Sequence, residues 1–132
     1  MSGRNAVARD LVVVACAISA GVHAALAPAH FQESAAAGTG FAASAVLLAL
    51  LAAAARRPGP AVVTAASLLL AGLIVAYALA VTTGVPILHP DPEPADGLGL
   101  FTTAVELVGL GAALGLLARL RPQRATCWTR LP

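Results

Sequence analysis

The fold is decided by residues 45–70, which read AVLLALLAAAARRPGPAVVTAASLLL. Two arginines followed by Pro-Gly-Pro separate two long apolar segments, residues 35–55 and 61–83. Proline and glycine end helices, and paired arginines anchor helix ends at the cytoplasmic face of a membrane. The pattern predicts two membrane-spanning helices that are joined by a tight inner turn and lie as antiparallel neighbours.

Two further apolar segments, residues 11–27 and 98–120, flank this hairpin in the sequence. Each of the four segments is near the roughly 20 residues that cross a hydrocarbon layer about 30 Å thick. The chain is only 11% charged, whereas soluble domains carry about 25% charged residues. Because lipid excludes unpaired backbone groups, the segments must be helices. The sequence therefore predicts an all-α membrane four-helix bundle, a single transmembrane domain over residues 1–132, with the lipid bilayer as its main partner.

The first segment also has features of a secretory signal peptide, including a small-x-small pattern at Ala25-Leu26-Ala27. Two features oppose cleavage, because Pro28 would follow the cut and His23 interrupts the apolar run. We therefore expect this segment to be retained as a helix, which Pro28 ends or kinks.

The basic residues are all arginines, and the four segments place them on one side of the membrane. They are Arg4, Arg9, Arg56, Arg57, Arg119, Arg121, Arg124 and Arg130. Short arginine-rich loops stay in the cytoplasm, so both termini are predicted to be cytoplasmic in a multi-pass protein of a bacterial plasma membrane. Such clusters at helix ends are topology signals near anionic headgroups, and no nucleic-acid partner is expected.

Nearly all acids and histidines fall on the opposite side or just below it. Three histidines and five carboxylates gather there: His23, His30, His89, Glu33, Asp91, Glu93, Asp96 and Glu106. Nitrogen and oxygen ligands without thiolate suit Zn²⁺, Mn²⁺, Fe²⁺ or Cu²⁺. The asymmetry indicates an outward-facing cation site, although no spacing matches a specific metal motif.

His23 and Glu106 are predicted to lie at the same depth within the membrane. Asp10 and Arg119 mark the inner boundary of the two segments, and His23 lies 13 residues after Asp10 while Glu106 lies 13 residues before Arg119. Each group is therefore placed roughly 20 Å above that boundary. A carboxylate there is costly unless it is protonated, paired or hydrated, and a contact with His23 would satisfy both groups. The prediction is an ion or proton site with these two residues as its floor. The alternatives are a plain helix–helix hydrogen bond, or a protonated Glu106 bonded to Thr102 or Thr103.

His30 and Glu33 are three residues apart, so they share a face if a helix continues after Pro28. They are predicted as outer metal ligands, with a hydrated interfacial cap as the alternative. His89 and Asp91 are less favoured ligands, because their stiff Pro-rich stretch is better interpreted as a solvated acidic loop that reinforces the topology. Asp96, just before the fourth segment, is alternatively a helix cap.

Small and hydroxylated residues within the segments are interpreted as packing features. Gly111 and Gly115 form a small-xxx-small pattern that lets another helix approach closely, either within the bundle or in a homo-oligomer or larger membrane complex. The serines Ser19, Ser44 and Ser67 lie inside apolar segments, where hydroxyls pack and bond to backbone.

A run of residues near the end of the first segment carries a resemblance. Gly21-Val22-His23, then Leu26-Ala27-Pro28 and His30-Phe31-x-Glu33, resembles small four-helix membrane proteins common in actinobacteria. Thr83-Gly84-Val85-Pro86 and a glutamate in the last helix, Glu106, fit the same pattern. The resemblance implies the four-helix membrane fold and no activity, and it makes His23, His30, Glu33 and Glu106 the positions to test.

Three functional classes follow from these features. The leading hypothesis is an outward-facing His/carboxylate cluster that binds a divalent cation or a proton in metal handling or ion-coupled transport. The alternative is a non-catalytic structural or accessory subunit of a larger membrane complex. A metal-dependent membrane enzyme would need an open coordination position and an adjacent base, for which the sequence gives no positive sign.

Overall fold

A computed structural model describes residues 3–85 and 91–120 of the chain. This part forms four helices: α1 (Gly3–Glu33), α2 (Ala35–Ala54), α3 (Pro60–Thr82) and α4 (Gly97–Leu120). Each helix is long and apolar enough to cross a membrane. The prediction of an all-α four-helix bundle is confirmed.

Helix α1 is longer than the predicted first segment, because Pro28 does not end it. The helix continues to Glu33, and the Ser34 amide still donates to the His30 carbonyl at 2.9 Å. A proline removes one backbone hydrogen bond, whereas irregular backbone at membrane depth would leave several groups unpaired. The chain therefore keeps the helix through Pro28.

Ser34 alone joins α1 to α2. Its backbone is extended, and its hydroxyl accepts a hydrogen bond from the Ala37 amide at 3.0 Å. This is an N-cap, which satisfies one of the free amides at the start of a helix. A one-residue connection leaves α1 and α2 closely packed along their lengths.

The predicted inner turn lies between Ala54 and Pro60, and Pro60 occupies the first turn of α3. The expectation that α2 and α3 pack as close neighbours is not met, since they contact each other only slightly. Instead α1 packs against both α2 and α4, and α4 packs against α3. A short connection fixes only the ends that it joins, and the opposite halves of α2 and α3 lie on either side of a cavity.

Helices α1 and α4 approach each other closely at Gly109 of α4. A Cβ atom there would lie 2.5 Å from the Ala15 Cβ and 3.2 Å from Leu70 Cδ1. In lipid, close van der Waals packing at small residues drives helix association. By contrast, a Cβ at Gly111 or Gly115 would meet nothing within 4 Å. The predicted small-xxx-small pair therefore does not mediate packing inside the bundle.

The two ends of the bundle differ in charge. Arg119 Nη1 donates to the Arg4 carbonyl at 3.4 Å and to Asn5 Oδ1 at 3.2 Å, so the start of α1 and the end of α4 lie together. We call this the terminal end, and it also carries the α2–α3 turn with its two arginines. The opposite end, where Ser34 joins α1 to α2, is the loop end. It carries Glu33 and the acidic connection before α4.

Candidate functional site: a cavity at the loop end

A cavity of about 300 Å³ lies within the loop-end half of the bundle and is lined by all four helices. Its polar lining residues fall at two levels along the helices. His23 and Glu106 are deeper, whereas His30, Glu93 and Asp96 are nearer the loop end. His23 and Glu106, which the sequence predicts to lie at the same depth, therefore line one cavity.

The deeper level is organised by Ser19. Its hydroxyl donates to Glu106 Oε1 at 2.6 Å and lies 3.3 Å from His23 Nδ1. Ser19 is fully buried and Glu106 is 2% exposed, while His23 is half-buried. The predicted association of His23 with Glu106 is thus made through a serine hydroxyl. The alternative partner Thr102 is engaged elsewhere, because its hydroxyl donates to the Leu98 carbonyl at 2.8 Å.

The hydrogen bonds of His23 show which ring nitrogen carries a hydrogen. Its Nδ1 lies 2.9 Å from the Ser19 carbonyl oxygen. A carbonyl oxygen only accepts, so Nδ1 carries the hydrogen in this arrangement. The Ser19 hydroxyl oxygen can accept a second, longer contact from the same N–H while its own hydrogen points to Glu106. His23, Ser19 and Glu106 therefore form a directional chain of donors and acceptors.

Helix packing explains why these three residues meet. Ser19 and His23 are four residues apart on α1 and share one face. Glu106 lies three residues before Gly109, a position at which α4 packs closely against α1. The close approach at Gly109 brings the carboxyl within reach of Ser19, although sequence analysis assigned Ser19 only to backbone bonding. The i, i+4 spacing from His23 was the signal that could have identified it.

His30 and Glu33 share a face of α1 as predicted, with His30 Nδ1 3.0 Å from Glu33 Oε2. The His30 ring stacks on Phe41 of α2 with 3.9 Å between ring centroids. Phe41 also lies 5.3 Å from the His23 ring. An aromatic ring from α2 thus packs against both histidines of α1, and Glu33 is exposed outside the cavity.

The predicted metal ligands that the structure describes do not form one cluster. Within residues 3–85 and 91–120, no group of three or more His, Cys, Asp or Glu side chains is placed to hold a metal ion. Ser19 lies between His23 and Glu106, and His30 is paired with Glu33. The predicted Zn²⁺, Mn²⁺, Fe²⁺ or Cu²⁺ site therefore has no support in this part. Asp91 is exposed in the connection before α4, and His89 lies outside the described residues.

Glu93 and Asp96 of the connection before α4 line one side of the cavity. The Glu93 amide donates to the Ala80 carbonyl of α3 at 2.9 Å, which holds Glu93 against the end of that helix. Asp96 Oδ1 accepts from the Gly99 amide at 2.6 Å, so the predicted cap of α4 is confirmed. Both carboxylates therefore stay beside the cavity.

Tyr77 of α3 is a further polar residue of the cavity wall that the sequence did not single out. Its hydroxyl is buried, and it is without a hydrogen-bond partner among the residues that the structure describes. The ring packs on Gly99, where a Cβ atom would lie 2.5 Å from the ring carbon Cε2. Only glycine at that position lets the phenol lie so close to α4.

The electrostatics of the cavity favour positive charge. Three carboxyl groups line it, those of Glu93, Asp96 and Glu106, and its described lining includes no arginine. Clefts lined by one sign of charge with apolar walls concentrate the opposite charge.

Comparison with protein-family models, with curated proteins and with solved structures found no match to this chain.

Proposed function

We propose that this multi-pass membrane protein binds a proton at Glu106 and exchanges it through the loop-end cavity as part of an ion-coupled process. One observation carries the proposal: a carboxyl that is 2% exposed accepts a hydrogen bond from Ser19 and also lines the cavity. Ionisable groups within a membrane are costly, and by default they mark ion or proton paths.

Ser19 gives the carboxyl a route to a second proton carrier. When His23 is protonated, its Nδ1–H faces the hydroxyl oxygen, whose own hydrogen faces Glu106 Oε1. Transfer of the first proton to Ser19 and of the second to Glu106 leaves the serine neutral and moves one positive charge. Such a relay needs donors and acceptors within hydrogen-bond reach, which this chain of contacts provides.

A proton suits this arrangement better than the divalent cation that the sequence also allowed. The Ser19 hydroxyl occupies the position between His23 and Glu106 that a shared metal would need. A proton requires no further ligands, whereas Zn²⁺ takes four and harder cations take more. Stoichiometric metal retained by purified wild type and lost in Glu106→Gln would reverse this choice.

Glu106→Gln is expected to remove a protonation step from the protein. Glutamine keeps the shape and the hydrogen bond from Ser19 but cannot titrate. We expect infrared difference spectra of the chain in lipid nanodiscs to show a buried carboxyl that gains a proton as the pH falls and exchanges in D₂O.

The control for this measurement is Glu33→Gln, since Glu33 is exposed and lies outside the cavity. The buried-carboxyl band should persist in this variant and vanish in Glu106→Gln. A band that ignores pH and D₂O, or that survives in Glu106→Gln, would contradict proton exchange at this site.

The proposal includes an orientation with the terminal end in the cytoplasm of a bacterial plasma membrane. The arginines at the terminal end support it through the positive-inside rule. Gln32→Cys should then react with a membrane-impermeant thiol reagent on intact cells, and Gly59→Cys should not. Cys127→Ser provides the background for both, because the other cysteine, Cys16, is buried. The reverse labelling pattern would place the cavity mouth inside the cell.

A structural or accessory subunit is the second candidate, and one observation favours it. Gly111 and Gly115 leave an open surface on α4, with nothing within 4 Å of a Cβ at either position. Small residues at this spacing allow a helix of another chain to approach closely. This class would be favoured if the protein is always purified with a partner and Glu106→Gln leaves the activity of that complex unchanged.

A further inference from the structure

We infer that the loop-end cavity binds a monovalent organic cation with an apolar body, such as a protonated amine, whose charge is held by ionised Glu106. The inference rests on the proposed function, because the same carboxyl would carry either the proton or the organic cation. It goes further by naming the class of ligand that displaces the proton.

The size and walls of the cavity suit such a ligand. Its volume of about 300 Å³ is at the lower end of small-molecule sites, which span roughly 300–1,000 Å³. A water molecule occupies only about 30 Å³ of liquid. The deep walls are largely apolar and include Leu26, Phe41, Leu73 and Ala76. An apolar body fills such a space at little desolvation cost.

The charges select a cation, and the ligand geometry selects an organic one. Glu93 and Asp96 lie nearer the loop end, and Glu106 is the deep acid. An anion would meet three carboxylates, whereas an inorganic divalent ion would need a cluster of ligands that residues 3–85 and 91–120 do not supply. An alkylammonium group is satisfied by one carboxylate and by the faces of aromatic rings. Tyr77 provides such a ring in the cavity wall.

The Tyr77 hydroxyl gives independent support. It lines the cavity, and it is buried without a partner in the described part of the chain. A buried hydroxyl without a partner is costly, and native structures rarely leave one. The N–H groups of an ammonium ion can donate hydrogen bonds to a phenolic oxygen. The Tyr77 hydroxyl is therefore a second polar contact that the cavity offers to a ligand, at the level of Gly99 and nearer the loop end than Glu106.

Binding of the cation and of the proton must compete. Only the ionised carboxylate attracts the ammonium charge, so a ligand that enters protonated protein expels the proton from Glu106 to solvent. The reaction balances: a carboxylic acid and an ammonium ion become a carboxylate–ammonium pair and a released proton. Linkage is reciprocal, so protonation of Glu106 must weaken cation binding by the same factor by which the bound cation weakens proton binding. Cation affinity must therefore decrease as the pH falls.

The test is calorimetric titration of the full chain in nanodiscs with 2-phenylethylammonium, beside 2-phenylethanol as a neutral ligand of similar size. Between about pH 5 and 8 the amine stays charged, as lysine does. We expect the amine to bind and the alcohol to bind at least about tenfold more weakly, since a hydrogen bond to a charged group is lost. The affinity of the wild type for the amine should decrease as the pH is lowered. The heat of binding should include a contribution from the released proton.

Variants locate the effect. Glu106→Gln should lose roughly tenfold to a hundredfold in affinity for the amine together with its pH dependence. Glu33→Gln, whose side chain lies outside the cavity, should bind the amine like wild type. Equal binding of amine and alcohol, or unchanged amine binding by Glu106→Gln, would overturn the inference. The pH dependence of the wild type is a test that needs no variant to fold.

The two proposals fail in different ways. If the infrared band of Glu106 titrates but the amine does not bind, the organic-cation inference is wrong and proton exchange stands. If that band never titrates, proton exchange at Glu106 is wrong, and the competition inferred here is wrong with it.

Discussion

Gly109→Ala is expected to destabilise the bundle by about 1–3 kcal/mol, although it adds a single methyl group. That methyl would lie 2.5 Å from the Ala15 Cβ. Ala15 has no flexible side chain that could move aside, so α1 and α4 must separate. The measurement is reversible unfolding of purified protein in mixed micelles containing a denaturing detergent.

Gly111→Ala is the matched control, two residues further along the same helix. A Cβ there meets nothing within 4 Å. Alanine is favoured over glycine in a helix by roughly 0.5–1 kcal/mol, so this variant should be neutral or slightly more stable. Equal losses from the two substitutions would mean that Gly109 is not the contact that sets the spacing of α1 and α4.

Ser19→Ala is expected to cost about 1–3 kcal/mol in free energy of unfolding, because it leaves a buried carboxyl oxygen without its donor. The Glu106 infrared band should shift in the same variant, since the hydrogen bond of 2.6 Å to its Oε1 is gone. The free energy of unfolding is measured in mixed micelles, as for Gly109→Ala, and the infrared band is measured in lipid nanodiscs.

Ser67→Ala provides the comparison for this prediction. Ser67 is also buried, but its hydroxyl donates at 2.9 Å to the Val63 carbonyl of its own helix. Removing it leaves a carbonyl that retains its helical partner, so we expect a loss below about 0.5 kcal/mol and no shift of the Glu106 band. If the two serines behave alike, Ser19 does not support the carboxyl in the way described.

The number and type of the helices could be predicted because lipid leaves the backbone few choices. Each apolar run of sufficient length must be a helix, and the arginines with Pro and Gly mark the inner turn. The rotation of each helix could not be predicted. In a soluble bundle an apolar stripe identifies the inner face, but these helices are apolar on all sides. Gly109, Gly111 and Gly115 therefore look alike in the sequence, and only Gly109 packs against α1.

The depth of the candidate site within the membrane could be predicted, but the contacts between its residues could not. A fixed rise per residue placed His23 and Glu106 at one level, and both do line one cavity. Depth says nothing about which residue stands between them, so Ser19 was missed. Phe41 and Tyr77 were missed for the same reason, since their roles depend on neighbouring helices. The predicted metal cluster assumed that side chains on one side of the membrane converge, whereas Phe41 packs between the two histidines of α1.

The seam between α1 and α4 has a consequence for biogenesis. It joins the earliest and the latest of the four helices to leave the ribosome, and it contains the hydrogen bond between Ser19 and Glu106. The glutamate is therefore translated only after its serine partner is already in the nascent chain. Of the four described helices, the one that carries the buried carboxyl is thus the last to be made, when the hydroxyl that donates to that carboxyl is already present.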